Sequence, residues 1–176
     1  IGGASITNDI AVMLQVGIEE AEKIKKTYGS AKASMSSPEL DFELPANNGE
    51  LKRKISEHEL SRYVEARMVE ILQLVMREVS RADIKEKLTY GMVITGGGAE
   101  LKNLSGLAQE TINMPVKIGK PNNISGAVDI ASGPSYASAI GLSLWKNFDE
   151  DLNDFKPLES LKGTFDKVKN LIKEFF

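Results

Sequence analysis

The 176 residues contain no cysteine and a single histidine, His58. Without thiolates there can be no disulfide staple, cysteine nucleophile, zinc-cysteine centre or iron-sulfur ligation, and one imidazole does not make a histidine-rich metal site. Any chemistry therefore falls to oxygen, amide and ammonium groups. An excess of positive charge is also lacking: 22 Lys and Arg stand against 25 Asp and Glu, for a net charge of -3. That sign is wrong for a surface that holds nucleic acid broadly, so nucleic acid is not an expected partner. No window approaches the roughly 20 apolar residues that span a bilayer, and no basic-then-apolar leader opens the chain, so a cytoplasmic location is the default expectation. What is present is an ordinary globular composition, 41% hydrophobic and 27% charged, enough for one domain or two small lobes around a sizeable core. The chain opens at Ile1 without Met and runs into Gly2 and Gly3, which reads as an excised piece starting inside a strand-to-helix connection.

Along the chain, Thr7 or Asn8 is a predicted helix cap, followed by Ile10, Met13, Leu14 and Ile18 at helical spacing. A second helical set carries Ala21, Ile24 and Tyr28 on one face, and Gly29 stands where a glycine stop belongs. Leu40, Phe42 and Leu44 alternate, Pro45 ends the run, and Asn48-Gly49 supplies a turn before Leu51 to Ile55, the pattern of an antiparallel hairpin. Ser56 with Glu59 forms a capping box ahead of Leu60, Val64, Met68, Leu72, Val75 and Val79, which predicts a long helix. Tyr90 to Thr95 reads as a strand, Gly96-Gly97-Gly98 as a turn, and Glu100 to Ile112 as a helix. Pro115 to Ile118 is a second short strand, and after a polar loop Pro134 opens a helix rich in small residues through Trp145.

The sharpest motif is the stretch from Met92 to Leu101 with its three glycines. Glycines between a strand and a helix let backbone approach a ligand with no Cβ in the way, while a helix N-terminus directs N–H groups and partial positive charge at an anion. Phosphate or nucleotide binding is one reading and a plain tight turn is the other. The lysine of a P-loop and a G-x-G-x-x-G spacing are both absent, which disfavours those two nucleotide folds. His58, in the first turn of a helix, suits a capping or surface role, and Tyr136 and Trp145 read as packing residues.

Four stretches in order, Gly2 to Ala11, Ala21 to Ala31, Ile94 to Ala99 and Val116 to Gly119, resemble the actin-like ATPases, and within them the FtsA family of bacterial cell-division proteins. The resemblance runs from Ile1 to Trp145. It implies an α/β actin-like ATPase (ribonuclease H-like) fold, second lobe only. Residues 1–10 and 88–147 would form part of the nucleotide-binding subdomain, 11–87 a small partner-binding subdomain and 148–157 a linker. Gly96, Gly97, Gly98 and Ala99 match the family's adenosine motif, and Gly2 and Gly3 a glycine pair near the phosphates. Glu22, Lys25 and Lys26 match a Glu-x-x-Lys-Lys/Arg helix that flanks adenine and ribose; a surface ion pair at i,i+4 is the plainer account of Glu22 and Lys26. ATP is the implied cofactor. The resemblance places the aspartate-glycine phosphate loops that hold Mg2+ upstream of Ile1, so the chain is expected to be a nucleotide-binding structural adaptor, at most a weak ATPase and only with those loops.

The same resemblance implies three partners. The small subdomain would take the C-terminal tail of FtsZ, for which Lys52, Arg53, Lys54, Arg62 and Arg67 are the basic candidates; Arg67 matches a family arginine although Ala66 stands where Pro is usual, and a solvated surface charge is the alternative for each. Self-association into filaments is the second partner. The third is lipid. Leu158, Leu161, Phe165, Val168, Ile172 and Phe175, with Phe176 at the end, make residues 158–176 an amphipathic helix whose lysines lie elsewhere on the wheel. A membrane-surface anchor, a helix packed back on the domain and a coiled-coil partner are its three readings, and the family favours the first. The expected function is to polymerise and tether FtsZ filaments to the cytoplasmic face of the membrane at the septum; a PilM-like or MreB-like scaffold is the alternative, and a chaperone or sugar kinase relative a third.

Overall fold

The computed structural model describes residues 2–44, 53–85, 88–122 and 132–151, with backbone alone from 145 to 151. They fall in two compact units, Ile1–Ser138 and Ala139–Phe176. The hairpin turn at Pro45 and Asn48-Gly49, Leu51, Lys52, and the tail residues Leu161, Phe165, Val168, Ile172, Phe175 and Phe176 lie outside the described residues.

Helix α1 spans Gly3–Leu14 and buries Ile6, Thr7, Ile10, Ala11 and Leu14. The predicted cap at Thr7 or Asn8 is therefore displaced: the helix starts at Gly3, because the buried stripe reaches back to Ile6. Thr7 is an interior residue whose hydroxyl serves the neighbouring helix. Met13 and Ile18 stay exposed, and Ile18 opens α2 instead of extending the α1 stripe. Helix α2, Ile18–Tyr28, has Glu19 and Glu20 in its first turn and Lys25 and Lys26 in its last, each complementing the helix dipole, and it buries Ala21 and Ile24 as their spacing requires. Gly29 ends it for a reason other than a left-handed turn. Its φ is -69°, but a Cβ there would fall 2.4 Å from the Lys25 carbonyl oxygen.

Strands β1 (Asp41–Glu43) and β2 (Lys54–Ser56) pair antiparallel with Phe42 opposite Ile55, both buried. Tyr28 stacks on Phe42, ring centroids 4.1 Å apart, which ties the end of α2 to the hairpin. Leu40 does not join Phe42 and Leu44 inside: it precedes the strand, where its carbonyl accepts the Glu57 N–H, and its side chain is exposed. Helix α3, Glu57–Arg81, begins with Ser56 Oγ accepting the Glu59 N–H at 3.1 Å and buries Leu60, Val64, Met68 and Leu72; the stripe emerges into solvent by Val75.

Strands β3 (Met92–Ile94) and β4 (Val116–Ile118) pair in parallel, Met92 beside Val116, with α4 (Leu104–Ile112) as the crossover. The glycines do not open directly into that helix. They form a 3₁₀ turn, Gly97–Glu100, and α4 starts only at Leu104, behind Asn103 in a left-handed conformation. Asn103 donates its side-chain amide to Ser30 Oγ at 3.0 Å, a tertiary contact that interrupts the helix predicted from Glu100. A second 3₁₀ turn, Pro134–Tyr136, precedes α5, Ala137–Asp151. The last helix runs past Asn147, where the linker was expected to begin; no Gly or Pro breaks the stretch Trp145 to Asp151. One core cluster joins α1, α2, the hairpin, α3, Ala99 and α4, and a smaller one links Leu72 of α3 to Ala108, Ile112 and Val116.

Candidate nucleotide cleft

Three separate stretches of chain meet around a cleft of about 900 Å³ in the first unit. The first turn of α1 contributes Gly3, Ala4 and Ile6; α2 contributes Glu22, Lys25, Lys26 and the following Gly29; the glycine turn contributes Gly97 and Gly98, continuing into Glu100, Leu101 and Lys102, with Ser135 at the rim. A parallel bridge between Ser30 and Lys102, with the Ala31 N–H on the Lys102 carbonyl at 2.8 Å, brings the end of α2 to the segment after the glycines.

The floor is bare backbone. A Cβ on Gly98 would stand 3.7 Å from the Gly3 nitrogen, and nothing in the protein lies within 4 Å of the Cβ position at Gly97. Of the three glycines of the turn, only Gly96, at φ 90°, needs glycine for its conformation; its N–H is held by the Pro134 carbonyl at 3.0 Å. At Gly97, then, the lack of a side chain keeps the cleft open.

Glu22 is the most elaborately held charge. Its Oε2 accepts from Lys25 Nζ at 2.6 Å and, in a short bond, from the Thr7 hydroxyl, while Oε1 faces Lys26 Nζ at 3.4 Å. Burial would raise its pKa, but the hydrogen bonds from Lys25 and Thr7, the Lys25 charge and the Lys26 contact together bring it from 4.5 down to about 2. Lys25 also donates to the Gly3 carbonyl at 3.1 Å and to Thr7 Oγ1 at 2.8 Å. Its three N–H donors thus have three acceptors within the protein, and none is left for a ligand. Lys26, its side chain 73% exposed, has only its 3.4 Å pairing with Glu22 Oε1 and keeps its ammonium in solvent at the cleft. Lys102 reaches the Thr27 carbonyl at 3.0 Å, and Ser135 Oγ donates to Glu100 Oε1 at 2.7 Å. Three lysines against two glutamates leave the lining positive on balance, which suits an anionic ligand.

Of the residues singled out in sequence, Gly3, Glu22, Lys25, Lys26, Gly97 and Gly98 line the cleft. Gly2, Gly96 and Ala99 do not: Gly2 precedes α1, Gly96 starts the turn, and Ala99 is buried in the core beneath it. Glu100, Lys102 and Ser135 were not anticipated, and the bridge that places Lys102 has no local signature. Among the described residues there is no group of three or more acidic or histidine side chains placed to hold a metal ion.

Two of the basic candidates for a peptide tail, Arg53 and Arg67, are engaged, while Lys54 is exposed on β2. Arg53 donates to the Leu14 carbonyl and closes the end of α1. Arg67 makes a two-pronged ion pair with Asp9, Nη2 to Oδ1 at 2.8 Å, and a second pair with Glu70, so α3 is clamped to α1. Arg62 is exposed on α3. His58 Nδ1 lies 2.9 Å from the Ala33 carbonyl, anchoring the loop before β1. Among the described residues no helix is long and apolar enough to cross a membrane.

Residues 1–141 match the family described as Cell division protein FtsA. The chain is 32% identical to the FtsA of Pseudomonas aeruginosa over 145 residues, 82% of this chain and 35% of that relative. It is also 32% identical to that of Borreliella burgdorferi, over 100% of this chain and 43% of the relative, and 34% identical to that of Bacillus subtilis, over 81% and 31%. The chain thus spans less than half the length of these relatives. Among solved structures, MreB5 of Spiroplasma citri bound to ADP superposes with a TM-score of 0.61 at 19% identity, covering 87% of this chain and 46% of that one; its AMPPNP complex gives 0.60 at 20%.

Proposed function

The chain belongs to the FtsA family of cell-division proteins and has the actin-like fold, and from that premise we propose that it forms the second lobe of an ATP-binding division adaptor. The observation that carries the reading is the convergence of Gly3, Glu22, Lys26, Gly97 and Gly98 on one open, net positive cleft. In it the glycine turn lies against ribose and phosphates, Glu22 accepts from ribose hydroxyls, and the Lys26 stem lies beside the base. That the MreB5 structures of the same fold are bound to ADP and to AMPPNP supports a nucleotide as the ligand. Work is done by binding, not turnover. Mg2+ and the outer phosphates would be held by residues other than those described here.

In this reading the adaptor self-associates into filaments, receives the FtsZ tail on the small subdomain with Arg62 as its available guanidinium, and reaches the cytoplasmic face of the membrane through residues 158–176. Titrating ATP into the 176-residue chain tests the nucleotide part: saturable binding, abolished by Gly97→Val with the fold intact, is expected, and no binding by the folded chain overturns it. Co-sedimentation with anionic liposomes tests the tether. Binding that is lost when the chain ends at Asn147, together with recruitment of an FtsZ-type tail peptide, is expected; binding that survives the truncation refutes an anchor in the tail.

A further inference from the structure

A second hollow, of about 400 Å³, lies between α1 and α2 and is lined by Ala4, Thr7, Asn8, Ile18, Glu19 and Glu22. It shares Ala4 and Glu22 with the nucleotide cleft and no other residue. On α1, Ala4, Asn8 and Val12 follow one another at four-residue spacing, so this side of the helix continues about 12 Å from the hollow to Val12. All three are exposed, Val12 by 77%, and Ile18 across the furrow on α2 is exposed by 54%. An aliphatic strip between two helices is thus uncovered, and the furrow has the form that receives the side-chain ridge of a third helix. Its rim is acidic. Glu19 and Glu22 line it with no Lys or Arg beside them, and the α2 lysines turn elsewhere: Lys23 to Glu20 at 3.5 Å, Lys25 and Lys26 to Glu22 at 2.6 and 3.4 Å. Glu19 therefore faces solvent with no lysine of its own helix on it.

We propose that this furrow docks an amphipathic helix of a partner protein, its apolar face on Ala4, Val12 and Ile18 and a lysine or arginine placed to meet Glu19. Charge selects among the occupants. The neighbouring cleft is positive on balance, whereas the only charged residues lining the furrow are carboxylates, so the wall that attracts a cation repels phosphate, anionic lipid and acidic peptide. A second copy of this chain, with its net charge of -3, gains no general attraction there. The walls select the secondary structure. Both are helices without an unpaired strand edge, so main-chain pairing is not on offer and side-chain anchors three and four residues apart carry the contact. Docking of this kind goes beyond the nucleotide reading and needs neither the cleft nor its ligand.

The probe is a fluorescently labelled synthetic helix of about 18 residues, five turns, with leucines on one face and lysines on the other, set against its counterpart with glutamates for lysines. Anisotropy and amide exchange are read on the 176-residue chain. The lysine helix is expected to bind saturably and to slow exchange along α1 and the first turn of α2, and the glutamate helix not to bind. Val12→Glu and Glu19→Lys, both changes at exposed positions that leave the core untouched, should each weaken binding roughly tenfold or more. Glu78→Lys makes the same change of charge on an exposed glutamate of α3 and should alter affinity by less than about twofold. Equal weakening by Glu78→Lys, or an affinity indifferent to both furrow variants, overturns the inference. So does self-assembly: concentration-dependent oligomers of the chain that Val12→Glu dissolves assign the furrow to a second copy.

Discussion

At Glu22 the protein stores a pH dependence. Its carboxyl titrates near 2 in the folded chain against an ordinary 4.5, so the contribution is complete above about pH 4.5 and disappears as the pH falls through about 2. With the side chain 35% exposed, solvent screening reduces that contribution to about 1–2 kcal/mol. Urea unfolding between pH 5 and pH 2 should show an acid loss of that size in wild type that is missing in Glu22→Gln. The two neighbouring lysines should separate cleanly. Lys25→Ala removes three hydrogen bonds from a side chain only 12% exposed and is expected to cost about 1.5–3 kcal/mol in the urea midpoint, while Lys26→Ala, outward on the same turn, should leave the midpoint alone and weaken ATP. The spacing of Glu22, Lys25 and Lys26 was legible in the sequence. Which lysine is held internally was not, because the answer depends on where Thr7 of another helix stands. Arg67 teaches the same lesson: its sequence setting suggested a peptide contact, and Asp9 of α1 occupies its guanidinium.

At the scale of elements, glycines that look alike in sequence do different work. Gly91 has φ 84°, and a Cβ there would fall 2.1 Å from the Pro115 carbonyl, the acceptor of the Met92 N–H that starts the β3–β4 pairing. Gly91→Ala should therefore destabilise the parallel pair by roughly 2 kcal/mol or more, read as a lowered midpoint and faster amide exchange at Met92 to Ile94. Gly97→Ala meets no protein atom and should leave the midpoint unchanged while weakening ATP. The long helix α3 was readable because its capping Ser56 and its four-residue apolar repeat lie within a turn of one another. The start of α1 and the delayed start of α4 were not, since a buried stripe pulled one helix back to Gly3 and the Asn103 contact with Ser30 held the other off to Leu104.

Across the whole molecule, one apolar cluster draws side chains from Ile6 to Leu107, so residues far apart in the chain share a single core. Leu60, fully buried at its centre, reports on that sharing. Leu60→Ala is expected to cost about 2–5 kcal/mol, and amides of both α1 and α4 should lose protection together; loss confined to α3 would mean the cluster does not act as one unit. The sequence by itself determined the order of the elements, the capped long helix and the glycine-rich turn, because each is carried by short-range periodicity or by a compact motif, and four motifs in order carried the resemblance to the FtsA family and with it the class of fold. Only the tertiary structure decided that Thr7 serves Glu22, that Lys25 is held inside while Lys26 is exposed, that Arg53 and Arg67 close and clamp helices, and that Lys102 joins the cleft. Those assignments turn on hydrogen bonds between segments many residues apart, and such pairings are chosen by packing, which no local pattern of residues encodes.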